Sequence, residues 1–186
     1  QRLKYDILSQ TQLNQFAELL GKKCRAVSKK EKGINLKREL QTHKKTLKEA
    51  YLFFAESEEQ REPLASGSEW LVDNHPFVEQ QIASSESFLS EKLDRSLPKL
   101  TGGPFKGYPR IYWIAHELIE HTDAIVDDEN LLSFIRYFQN SQPLLMRELW
   151  AFPTMINLAI IRRLAHLSTF NLVTRKQQLL ADKFID

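Results

Sequence analysis

Residues 142–167 read QPLLMRELWAFPTMINLAIIRRLAHL, and the fold turns on how this stretch is read. Its longest apolar run, Leu149 to Ile161, is interrupted by Pro153, Thr154 and Asn157 and bracketed by Arg147, Glu148, Arg162 and Arg163. A helix that crosses a bilayer needs roughly 20 mainly apolar residues. The run is too short for that. It predicts a buried helix pair joined at Pro153, with Trp150 and Pro153 forming the structural joint.

Apolar residues recur at steps of 3 and 4 elsewhere in the chain, and period-2 alternation is nearly absent. No strand is predicted. Ser9 caps a first helix carrying Leu13, Phe16 and Leu20, and Gly21 stops it. Leu36, Leu40, His43, Leu47, Ala50 and Phe54 lie on one face of a long helix running to about Glu59. Ser66 and Glu69 form a capping-box pair for the next helix. That helix carries Trp70, Leu71, Val78, Ile82 and Leu89, with a kink or break expected near Asn74 and His75 because of Pro76. LPKLTGGPFKGYP, 97–109, is a loop punctuated by Gly102, Gly103, Pro104 and Gly107.

Pro109 opens the following helix, whose apolar stripe is Ile111, Ile114, Ala115, Leu118 and Ile119. Asp127 or Asp128 caps another with Leu131, Phe134, Ile135 and Phe138. A C-terminal helix ends near Phe184. The class is all-α: a helical bundle of about seven helices. The expected division is a basic N-terminal helical arm, 1–60, and a bundle core, 61–186, packed as one unit.

The net charge of +2 conceals an asymmetry. Residues 1–48 hold 13 Lys or Arg against 4 Asp or Glu, and the remainder holds 13 against 20. KKCRAVSKKEKG, 22–33, is the densest basic run. It reads either as a solvated linker or as a patch for anionic lipid head groups. Aromatic residues do not interleave with its lysines, so no stacking platform for nucleic acid is visible and nucleic acid is not an expected partner. The single cysteine, Cys24, offers no internal disulfide and no metal-site spacing. The N-terminus lacks the apolar core of a signal peptide. The chain begins at Gln1, not Met, which suggests a piece of something longer.

Several motifs point toward chemistry. HELIEH, 116–121, resembles a zinc-protease motif, but its histidines are five residues apart. On a regular helix, at 100° per residue, His116 and His121 point about 140° apart, whereas one metal needs them at i and i+4. Glu117 with His121, or His116 with Glu120, share a face but lack a third ligand. No metal is therefore expected; a metal-dependent hydrolase using Glu117 and His121 is the alternative reading. There is no P-loop, no GxGxxG, no Asp-x-Asp and no nucleophile elbow. Asp73, Glu117, Glu120, Asp123 and Glu148 are the carboxylates from which a glycosidase pair would be drawn.

Trp70, Tyr108, Tyr112, Trp113 and Trp150 are large aromatics at helical spacing. Such residues are usually core anchors with a polar tip, and their faces also suit sugar rings. Asp73, Asn74, Arg110 and Glu148 lie near them in sequence. The candidate ligand or interdomain contacts are Trp70, Asp73, Asn74, Tyr108, Arg110, Glu148 and Trp150. Arg110 and Glu148 are expected to pair internally and hold the loop 102–109 to the bundle. No catalytic residue is assigned.

Four segments carry a family likeness: EWLVDN (69–74), LPKLTGGPFKGYPRIY (97–112), ELIEHTD (117–123) and QPLLMRELWAFPTMINLAIIRRL (142–164). Together they resemble the segment preceding the first membrane helices of bacterial cyclic β-1,2-glucan synthetases. The likeness runs from Pro63 to Leu167, and LKEAYLFFAE, 47–56, resembles the family more loosely. The resemblance implies a large inner-membrane enzyme with a UDP-glucose-dependent glucosyltransferase domain and a domain related to glycoside phosphorylases. The present chain matches neither catalytic part. The resemblance therefore implies a non-catalytic helical domain at the cytosolic face of that membrane, without a cofactor of its own. Its expected partners are the remaining domains of the enzyme, an anionic membrane surface through 22–33, and β-glucan. The other alternative is a peripheral membrane or nucleic-acid adaptor acting through the basic arm.

Overall fold

The computed structural model describes residues 6–24, 26–27, 33–90, 93 and 96–182. The protein is all-α. Its six helices among the described residues are α1 (Gln10–Lys23), α2 (Leu36–Glu59), α3 (Ser66–Phe88), α4 (Arg110–His121), α5 (Asp128–Gln139) and α6 (Met146–Asp182). The only strand pairing among the described residues is two residues long: β1 (Ala26–Val27) runs antiparallel to β2 (Lys99–Leu100), with Ala26 opposite Leu100. Of the basic stretch 22–33, Arg25 and residues 28–32 fall outside the described residues.

Fewer helices form than the predicted seven because two prolines do not end theirs. α3 runs through Pro76 and α6 through Pro153. An interior proline removes one backbone hydrogen bond and costs about 3 kcal/mol. In α3 the buried Leu71, His75, Val78 and Ile82 lie on both sides of Pro76. In α6 Ala151, Phe152, Met155, Leu158 and Ala159 surround Pro153 in the same way. Each buried Leu, Ile or Val side chain contributes about 1.5–3 kcal/mol, which outweighs the lost bond. The expected helix pair and the C-terminal helix are thus one element.

The chain divides into two compact units. The first comprises residues 1–36 and 89–160, with α1, the strand pair, α4, α5 and the start of α6. Ser9 caps α1 in a full capping box with Gln12, as the sequence predicts. Gly21 does not stop the helix but lies buried inside it. A Cβ there would sit 2.7 Å from the Phe138 carbonyl oxygen, so glycine permits the close approach of α1 to α5. Asp127 caps α5 by accepting from the Asn130 N–H at 2.7 Å. Pro109 is the N-cap of α4, one position before its predicted place. The core here includes Leu13, Ala17, Ile111, Tyr112, Ile114, Leu118, Phe134 and Phe138, each at most 2% exposed.

The second unit comprises residues 37–88 and 161–186. Leu40, Leu47, Ala50 and Phe54 form the buried face of α2, as the spacing predicts. Leu71, Val78 and Ile82 from α3 and Ile161 and Ala165 from α6 are buried too. Ser66 begins α3 but does not cap it: the Ser68 and Glu69 N–H groups donate to the Ala65 carbonyl. His75 stacks on Tyr51 with centroids 3.7 Å apart, and Arg175 reaches Glu62 at 3.1 Å.

Candidate functional site

The loop between β2 and α4 is the best-built irregular segment of the first unit. Its ends are fastened by backbone bonds: Arg110 N–H donates to Pro98 O at 2.8 Å, Leu100 N–H to Tyr108 O at 2.9 Å, and Gly107 N–H to Leu100 O at 2.8 Å. Gly107 takes φ 84°, which a side chain would strain, and this turns the chain back toward α4. Phe105 is buried and packs edge-on against Tyr108 and tilted against the His116 ring, with centroids 5.4 and 4.7 Å away. Tyr108 stacks on Tyr112 at 5.4 Å.

Beneath the loop lies the ion pair that the sequence predicts. Arg110 Nε donates to Glu148 Oε1 at 2.9 Å and Nη2 donates to Oε2 at 2.6 Å. The pair is bidentate, the geometry in which guanidinium and carboxylate bind most strongly. Nη2 also donates to the Pro143 carbonyl at 3.1 Å, and Glu148 Oε2 accepts the Leu145 N–H at 2.9 Å. The carboxylate thereby closes the first turn of α6. Burial works against the Arg110 charge, yet the Glu148 hydrogen bond and charge outweigh it and hold the guanidinium still more firmly protonated. Cys24 lies near enough to act on Arg110 in the same direction.

The predicted site residues are thus distributed. Arg110 and Glu148 are internal and fully engaged. Tyr108 is partly covered, in the aromatic cluster. Trp150 is 72% exposed, so it is no core anchor and no joint with Pro153. The reason is helical phase: Glu148, Ala151, Phe152 and Met155 face the core, and Trp150 lies off that phase. In the second unit Trp70 is 46% exposed, Asp73 is exposed, and Asn74 donates to the Trp70 carbonyl at 2.8 Å.

HELIEH occupies α4. His116 packs on Phe105, while His121 packs on Phe16 with centroids 4.4 Å apart. His121 Nε2 is 3.7 Å from Glu117 Oε2 and its Nδ1 is 3.0 Å from the Asp6 carbonyl. The Glu117 hydrogen bond raises the His121 pKa. Among the described residues no group of three or more His, Cys, Asp or Glu could hold a metal ion. No helix among them is long and apolar enough to cross a membrane.

A cleft of about 420 Å³ opens beside the loop. Its walls are Leu100 to Phe105, Trp113, and Lys23 with Cys24 from the end of α1. Trp113 is held in place by its indole N–H, which donates to Glu117 Oε1 at 2.9 Å. The sequence marked 97–109 as a loop and named Trp113 among the aromatics. It gave no sign that Lys23 would stand beside them, because that depends on the pairing of Ala26 with Leu100 across the chain.

No protein-family model matches the chain. Over 105 residues, 56% of its length, it is 29% identical to the cyclic beta-(1,2)-glucan synthase NdvB of Rhizobium meliloti (strain 1021). The chain spans only 4% of the length of that relative.

Proposed function

We propose that this chain is a non-catalytic helical domain of a membrane-bound cyclic β-1,2-glucan synthetase, where it supports the UDP-glucose-dependent glucosyltransferase. The observation that carries this reading is the 29% identity to a glucan synthase. Its setting would be the cytosolic face of a bacterial inner membrane. Its partners there would be the other domains of the enzyme, and the basic stretch 22–33 would meet anionic lipid. Two of the five candidate carboxylates, Glu148 and Glu117, support this reading. Glu148 is consumed in the pair with Arg110, and Glu117 holds Trp113 and His121. The purified chain should neither hydrolyse UDP-glucose nor release glucose from β-1,2-glucan. Turnover abolished by changing a single carboxylate would overturn this reading.

A further inference from the structure

We infer that the cleft between the 100–105 loop and Trp113 holds a carbohydrate, as a non-catalytic site for one stretch of a glucan chain. Its volume of about 420 Å³ falls in the range of ligand clefts, roughly 300–1,000 Å³. A pyranose offers a flat C–H face and a rim of hydroxyls, and the cleft offers a counterpart to each. Trp113 supplies the apolar side, and its indole cannot swing freely because its N–H is bound to Glu117. Leu100, Pro104 and Phe105 extend that apolar wall. The rim is polar: Thr101, Gly102, Gly103 and Lys23 line the same space.

The glycines matter here. A Cβ built on Gly102 or Gly103 meets nothing within 4 Å, so the backbone borders open space that a side chain would fill. Among the described residues, Lys23 is the one formal charge lining the cleft. A polyphosphate would need several cations or a helix N-terminus aimed at it. A neutral polyol with a cation at one edge suits the walls better. Naming the carbohydrate as β-1,2-glucan rests on the reading proposed above.

Gly102→Leu separates the site from the fold, because Gly102 lines the cleft and a Cβ added there meets nothing within 4 Å. Short linear β-1,2-gluco-oligosaccharides are titrated into the full chain by calorimetry, and the Trp113 indole N–H is followed by NMR. The wild type should bind saturably and the Trp113 signal should shift. Gly102→Leu should keep its melting temperature and weaken binding by about tenfold or more, a loss of 1.4 kcal/mol or more. Trp150→Ala should bind as the wild type does. Absence of binding, or binding that survives Gly102→Leu and disappears in Trp150→Ala, would overturn the inference. The synthetase reading is tested by turnover, so either can fail without the other.

Discussion

The Arg110 guanidinium and the Glu148 carboxylate meet across 38 residues of sequence, in a bidentate contact whose side chains are 6% and 0% exposed. One side chain starts α4 and the other closes the first turn of α6. Removing one partner leaves a buried charge unpaired, which typically costs 3–5 kcal/mol. Arg110→Met and Glu148→Leu should each destabilise the chain by about that amount in chemical unfolding. The double variant should recover a large part of the loss. Equal, additive losses would show that the pair is not coupled.

Trp150 should behave in the opposite way. An exposed side chain away from special features changes stability by about 0.5 kcal/mol or less. Trp150→Ala should therefore leave the melting curve nearly unchanged. Phe138→Ala, at a fully buried position, should cost about 3–5 kcal/mol. A sharp fall for Trp150→Ala would mean that α6 is phased differently from the structure.

Two histidines should give stability opposite dependences on pH. Burial lowers the His43 pKa to about 4, with His166 and Arg162 acting in the same direction. The unfolded chain then binds the proton more readily, so stability is complete above the ordinary value of about 6.5 and is lost as pH falls toward 4. His121 is raised, so its contribution is complete below about 6.5 and is lost as pH rises through its folded value. His43→Gln should flatten the acid side of the stability profile, and His121→Gln the neutral side. After allowance for partial exposure, about 1–2 kcal/mol is expected for His43. An acid limb unchanged in His43→Gln would reject the assignment.

The basic stretch 22–33 should draw the chain to anionic vesicles. Such attraction weakens as salt shortens the Debye length, about 8 Å at physiological strength. It should require anionic lipid and fall when Lys22, Lys23, Lys29 and Lys30 are replaced together. Co-sedimentation checks this, and equal binding to neutral vesicles would return the stretch to a solvated linker.

Local signals in the sequence carried much of the fold. The face formed by Leu40, Leu47 and Phe54, the caps at Ser9 and Asp127, and the pairing of Arg110 with Glu148 were all legible. Each depends on spacing or on complementary charge. Neither Pro76 nor Pro153 breaks its helix, because the local cost visible in the sequence is set against burial that only tertiary packing supplies. The size of Trp150 suggests a core anchor, but the phase of Ala151, Phe152 and Met155 turns it outward. Gly21 reads as a stop in the sequence, yet its absent side chain serves the approach to Phe138. The cleft is illegible because Lys23 and Cys24 line it together with the 100–105 loop and Trp113, which are distant in the sequence.

The most direct measurement exchanges segments. The stretch of the Rhizobium meliloti synthase that resembles this chain is replaced by the chain, and membranes are assayed for UDP-glucose-dependent synthesis of β-1,2-glucan. The account predicts that the chimera makes glucan, that a deletion of the stretch does not, and that Arg110→Met within the chimera lowers the yield. A chimera present in membranes at the normal level but unable to make glucan, or a deletion that makes it undiminished, would contradict the account.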